Sequence, residues 1–268
     1  MLKRTHGIVL KSSIFGEADL IVTYLTPHFG LLSAFAKSPR KIKSRFGSSL
    51  EPLTYSRISF FGKEEAALPR LTQSDIIKPF HSLRNDFNCL LKVSEILELC
   101  LNFLPKREPA PDIFRLLLHM MTTLESDADN KLLYLYYKMR FLHTIGYLPG
   151  LSVCGKCGSG ALKNRENESV HFYITHGSVI CNRCFIDDGY PGPTKSRETF
   201  RGDSSICMSH GALRFHESLL KWNPSALGRI NAPKNLVEEL TGVIDAHIRH
   251  VLGPSRFAGK SCTLQYRT

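Results

Sequence analysis

The chain has 268 residues, 43% of them apolar, 10% aromatic and 22% charged. That composition excludes a disulfide-stapled mini-protein, a globally disordered chain and a fibrous repeat, and leaves one large globular domain or two to three smaller ones. Lys and Arg number 35 against 24 Asp and Glu, a formal charge of +11, which favours a polyanionic partner.

The excess is uneven. Residues 1–80 carry 12 basic and 6 acidic groups, 81–150 eight of each, 151–184 four and two, and 185–268 eleven and eight. More than half of the surplus therefore lies in the first 80 residues, the pattern of a modular protein with one module in contact with the polyanion.

The first 75 residues read as short strands between turn signals: His6–Ile14, Ala18–Thr26, Leu31–Lys37, Leu53–Phe61 and Ala66–Thr72. Five strands in that length predict an OB-type barrel. The longest uncharged run, Leu20–Ala36, is broken by Thr26-Pro-His-Phe-Gly30 and reads as two strands and a turn, so no membrane span is expected. The apolar stretch behind Lys3 and Arg4 is only Gly7–Leu10, too short for a signal-peptide core, and a cytoplasmic location is the expectation.

From residue 82 the period becomes helical. Leu83, Phe87, Leu90, Leu91, Ser94, Leu97, Leu101 and Leu104 mark one helix face stopped at Pro105. A second helix is predicted with Asp112 as N-cap, and a third from Asn130 to the Gly146 and Pro149 stop. Their aromatic and methionine stripes read as core, and no chemistry is assigned to them. Residues 190–205 look like a connecting segment, and Leu236 to Val251 form a further helix closed by Gly253-Pro254.

The most specific motif is Cys154-Gly-Lys-Cys157 followed, after 23 residues, by Cys181-Asn-Arg-Cys184. Two Cys-x-x-Cys knuckles suit one tetrahedral zinc, with a hairpin of the zinc-ribbon kind between them around His176-Gly177. A redox dithiol pair or unligated core cysteines are the other readings of the same residues. Four sulfur ligands leave no open coordination position, so such an ion would be structural. Cys89, Cys100, Cys207 and Cys262 read as ordinary thiols.

Next comes Lys37-Ser-Pro-Arg40-Lys41-Ile-Lys43-Ser-Arg45, five cations in nine residues with no acid. On a connection beside aromatic-bearing strands, such a loop is how an OB-type fold holds a nucleic-acid strand, with cations on phosphates and rings against bases. A solvated basic loop is the plainer reading, and Tyr24, Phe35, Tyr55 and Phe60 are either stacking or core residues. Glu17 and Asp19 are cap or turn residues, or a pair of metal ligands. His247 and His250, three apart on a helix, are packing and surface residues, or ligands lacking a third partner. Gly253 to Ser261 resembles a phosphate loop but has Pro254 where the first glycine belongs. No Gly-x-Ser-x-Gly, His-Glu-x-x-His or Gly-x-Gly-x-x-Gly motif occurs, so the hydrolase, metalloprotease and dinucleotide readings lack a starting point.

Taken together, Gly7–Leu10, Gly16-Glu-Ala-Asp19-Leu-Ile-Val-Thr-Tyr-Leu-Thr26-Pro27, Gly30-Leu-Leu-Ser33, the basic loop ending Ser44-Arg45, and Gly146-Tyr-x-Pro149 before the cysteine pairs resemble the bacterial recombination mediator family RecO. The resemblance implies an α+β multi-domain protein: an OB-fold DNA-binding domain at 1–80, a helical domain in two parts at 81–150 and 191–268, and a zinc ribbon inserted at 151–190. It further implies a non-enzymatic protein of DNA repair and recombination, nucleoid-associated when bound to DNA. Such proteins bind single- and double-stranded DNA and anneal strands coated with single-strand DNA-binding protein. They work with RecR and, indirectly, RecA. Carried over by position, Lys37, Arg40, Lys41, Lys43 and Arg45 would contact DNA, and Cys154, Cys157, Cys181 and Cys184 would hold one zinc. One departure is Ser38-Pro39, where members commonly have a glycine-containing turn. The alternatives are a nuclease or nucleotide-dependent enzyme, and a zinc-ribbon transcription factor.

Overall fold

The computed structural model describes residues 1–40, 44–62, 68–127, 129–161, 170–187, 205–223, 227 and 230–253. Five strands form first: β1 (Leu2–Phe15), β2 (Asp19–Thr26), β3 (Gly30–Ala36), β4 (Tyr55–Phe61) and β5 (Arg70–Lys78). They close a barrel in the order β1-β2-β3-β5-β4, the OB arrangement that the strand spacing predicts. β1 serves two neighbours, pairing with β4 over Leu2–Ile8 and with β2 over Ile8–Phe15, and a bulge between Val9 and Lys11 bends it from one to the other. Val9, Val22, Tyr24, Leu32, Ala34, Ile58, Phe60 and Leu71 fill the interior. The last strand differs from expectation. It runs to Lys78, because β4 pairs with Gln73, Ser74 and Asp75 although those residues carry no strand signal of their own.

Three helices follow: α1 (His81–Asn85), α2 (Phe87–Phe103) and α3 (Pro111–Leu124). The single helix predicted from residue 82 is therefore two. Asp86 adopts an extended conformation and its carboxylate accepts from the Cys89 amide at 2.9 Å, capping α2. The buried face of α2 is Cys89, Val93, Ile96, Leu97, Leu99 and Cys100, and Phe87 is exposed, so the face is rotated from the one expected. In α3 the N-cap is Ala110, and Asp112 sits in the first turn, where its charge favours the helix N-terminus. Arg84 ties α1 to the barrel through the Pro52 carbonyl (3.3 Å) and Glu51 (2.7 Å).

A strap at residues 106–110 clasps the β2–β3 turn. Arg107 N–H donates to Leu31 O and Ala110 N–H to Pro27 O, both at 3.2 Å, and Lys106 bridges to Gly30. Gly30 has φ +51, and a Cβ there would lie 1.9 Å from the Glu108 carbonyl oxygen, so the turn and the strap meet where only glycine fits.

These elements belong to one compact unit, Met1–Asn130, and a second unit begins at Lys131. Its central helix α4 (Lys131–Thr144) is buried on nearly every side from Leu132 to Leu142. β6 (Gly150–Cys154), β7 (Val170–Tyr173), β8 (Ser178–Ile180) and β9 (Ser205–Met208) make a sheet ordered β6-β8-β7-β9. The β7–β8 pairing, His171 with Ile180 and Tyr173 with Ser178, is the expected hairpin. α5 (Asn182–Asp187), α6 (His210–Lys221) and α7 (Lys234–Leu252) complete the unit. Lys138 of α4, 5% exposed, pairs with Asp245 of α7 at 2.6 Å. The proposed connection lies outside the described residues up to Ser205, as do Cys262 and the phosphate-loop-like stretch beyond Gly253. No helix among the described residues is long and apolar enough to cross a membrane.

Candidate metal centre and nucleic-acid interface

The small sheet of the second unit builds both cysteine knuckles. Cys154 ends β6 opposite Val179 of β8, Cys181 follows β8, and Cys184 lies in the first turn of α5. The first knuckle closes through Gly158 N–H to Cys154 O (2.9 Å) and Cys154 N–H to Ser159 O (2.8 Å), the second through Phe185 N–H to Cys181 O (3.0 Å). All four Sγ atoms lie within 4.8 Å of one another, and Cys157 and Cys181 are 3.8 Å apart. A tetrahedron with metal–sulfur bonds of about 2.3 Å has edges of about 3.8 Å, so the donor set fits a metal ion. No other group of His, Cys, Asp or Glu among the described residues is arranged for one.

The protonation pattern follows from the same geometry. Burial opposes ionisation of Cys154, but the amides of Cys157, Cys181 and Lys156 outweigh it and its thiol is lowered. The hydroxyl and amide of Ser159 lower Cys157 to about 6, and the two side chains stand 2.9 Å apart. The neighbouring sulfurs of Cys157 and Cys181 push Cys184 up to about 12. Crowding therefore keeps a proton on the cluster until a cation takes its place. Sequence reasoning missed Ser159, whose only signal is a hydroxyl two residues beyond the knuckle. Beside the cluster, the His171 ring stacks on Phe185 at 4.1 Å.

In the barrel, the structure describes Lys37, Arg40 and Arg45 of the basic loop, all exposed, while Lys41 and Lys43 lie outside the described residues. The start of the loop is pinned to the β1–β2 turn. Asp19 accepts from Ser38 N–H at 2.6 Å, Arg40 N–H donates to Ala18 O at 3.4 Å, and Arg40 Nη1 donates to Glu17 O at 3.1 Å. Asp19 thus caps the start of the loop. Ser38, at the position of the departure, has φ +55, a conformation that glycine adopts at less cost. Arg45 lies over the Phe46 ring at 4.9 Å.

Of the four rings left open by the sequence, Tyr24 and Phe60 are core. Phe35 and Tyr55 are half-buried, with Tyr55 against His6 and Phe114. His247 is buried, its Nε2 3.0 Å from Tyr147 O and its ring edge-on to Phe172, and desolvation holds it below the usual imidazole range. It packs, and His250 is exposed.

The comparisons with known proteins cover both halves of the chain. Residues 1–80 match the family model for the recombination protein O N terminal region and residues 84–260 that for its C terminal region. The chain belongs to the RecO family. Among relatives, the DNA repair protein RecO of Thermodesulfovibrio yellowstonii is 41% identical over 251 residues, 93% of either chain. That of Dehalococcoides mccartyi strain CBDB1 is 30% identical over 93% of this chain and 90% of its own. RecO of Bacillus subtilis is 26% identical over 94% and 91%.

Proposed function

We propose that this chain is a non-enzymatic DNA-repair protein that holds single- and double-stranded DNA, anneals complementary strands coated with single-strand DNA-binding protein, and with RecR helps to load RecA. The observation that carries the reading is the full-length similarity to proteins named DNA repair protein RecO, at 41% identity over 93% of the chain. In this reading residues 1–80 are the strand-binding module, 81–150 and 191–268 the platform for partners, and 151–190 a folding clamp. The protein works in the cytoplasm, on the nucleoid.

Lys37, Arg40, Lys41, Lys43 and Arg45 neutralise phosphates. If each makes one contact, log K for a single strand falls with log salt at about −3.5, from about −0.7 per contact. Charge reversal at Arg40 and Lys41 that leaves this slope unchanged overturns the loop assignment. Cys154, Cys157, Cys181 and Cys184 hold one structural zinc, which would supply folding energy and no open coordination site. Protein purified without chelator then contains about one zinc per chain, and a content well below that refutes the assignment.

The deciding experiment is annealing of complementary oligonucleotides pre-coated with their cognate single-strand DNA-binding protein, without nucleotide or added metal. Acceleration is expected. Intact DNA binding with no acceleration, even with RecR added, overturns the annealing role.

A further inference from the structure

The outer face of the barrel is covered at one end and open at the other. Ile8, Leu25 and Leu31, which point outward near the strap, are buried, whereas at the far end of the same strands Phe15 is 53% exposed and meets Phe35 edge-on with ring centroids 5.9 Å apart. Phe35 stands between Ala34 and Ala36, both inside the barrel, so its ring faces out. The row continues sideways. Phe35 of β3 pairs with Arg70 of β5, and Arg70 pairs with Phe61 of β4. Phe61 is 57% exposed and follows the core residue Phe60.

Three outward phenylalanines with a guanidinium between two of them thus cross the barrel at about 4.8 Å per strand. Large exposed rings in a row are uncommon on a soluble surface and mark a binding site. What they bind is indicated by the charges around them. Arg70, Lys11 and Arg40 are exposed on the same module, whose first 80 residues hold twice as many basic as acidic groups. Arg40 is held beside the row, because its side chain and amide are bonded to the turn that follows Phe15.

The geometry points to a base-stacking platform: Phe15, Phe35 and Phe61 take the faces of successive bases of a single DNA strand, with Arg70 on the intervening phosphate or base. Ring faces give affinity that does not depend on sequence, since every base offers a π face, and flanking cations hold the backbone. This rests on the reading of the barrel as a single-strand binder and adds the residues that stack against the bases, none of which belongs to the basic loop.

The test is anisotropy titration of a fluorescent oligo-dT and of an abasic deoxyribose-phosphate strand of equal length, over a salt series, with the wild type, Phe15→Leu, Phe61→Leu and Arg70→Ala. Leucine keeps most of the apolar surface and removes the π face, so folding and any protein-docking role of the patch are preserved. Each leucine variant is expected to lose about tenfold in affinity for oligo-dT with an unchanged salt slope, and nothing on the abasic strand. Arg70→Ala flattens the slope by about 0.7. Oligo-dT affinity within twofold of the wild type in both leucine variants overturns the platform, as does an equal loss on the abasic strand. Failure of the wild type itself to bind oligo-dT overturns the single-strand reading and the platform with it, so the two failures are distinguishable.

Discussion

Replacing Gly30 by alanine tests how the barrel is fastened to the helices that follow it. The new Cβ would stand 1.9 Å from the Glu108 carbonyl oxygen, about 1.5 Å inside ordinary contact, so the strap has to retreat. Retreat breaks Arg107 N–H to Leu31 O and Ala110 N–H to Pro27 O, at about 1 kcal/mol each. The φ of +51 at residue 30 adds about 1 kcal/mol for a residue with a Cβ. The sum is about 3 kcal/mol, or about 12 °C in the melting of a unit of this size. Gly16 is the internal control. It has φ +68 but nothing within 4 Å of an added Cβ, so Gly16→Ala loses only the conformational share, about 1 kcal/mol. Scanning calorimetry is the assay, because the chain's one tryptophan, Trp222, lies in the second unit. Equal melting shifts for the two variants would falsify the clasp.

Three further outcomes are expected. Asp245→Ala removes the carboxylate that faces the buried Lys138 ammonium at 2.6 Å and costs about 3 kcal/mol in denaturant unfolding, while Lys138→Met combined with Asp245→Leu restores most of it; a double variant as weak as the single would contradict this. His216 is 2% exposed, neither ring nitrogen has a partner among the described residues, and desolvation pushes it down to about 4. The unfolded chain takes up that proton near pH 6.5 and the folded one only near 4. Stability is therefore lost as pH falls through this window, by up to ~3 kcal/mol, and His216→Leu should flatten the profile measured by urea titration. Finally, Ser38→Gly relieves the positive φ and stabilises the fold by about 1 kcal/mol, read as a higher melting temperature, with the Asp19 contact intact; a lower melting temperature would show that the serine side chain holds the turn.

The alternation of residues and the turn signals make the barrel legible in the sequence, and two Cys-x-x-Cys pairs make the cysteine cluster so. What stays hidden depends on partners elsewhere in the chain. β5 extends through Gln73-Ser74-Asp75 because the backbone of β4 is there to receive it. The break at Asp86 is a competition between continuing one helix and capping the next, which the apolar period does not register. α6 begins at a Ser209 cap that accepts from Ala212 N–H at 3.1 Å and buries Ala212, Leu213, Phe215 and Leu219 on one face, so this helix is legible from its cap and its period, although it is not among the predicted elements. The rings show the limit most sharply. Alternation places Phe35 and Leu31 on the same side of β3, but only the fold decides that Leu31 is covered and Phe35 is not.

Barrel closure has an uneven seam. Every junction but one is a long antiparallel ladder, whereas β3 meets β5 only at Phe35 and Arg70, with Phe35 N–H donating to Pro69 O at 2.8 Å. The barrel is thus a rolled sheet fastened at a single point, and unrolling from that point is its least costly excursion. A molecule that touches residues on either side of the seam holds it shut. Occupancy of that face and the exchange rate of the Phe35 amide should accordingly fall and rise against each other, making one backbone proton a reporter of what the barrel carries.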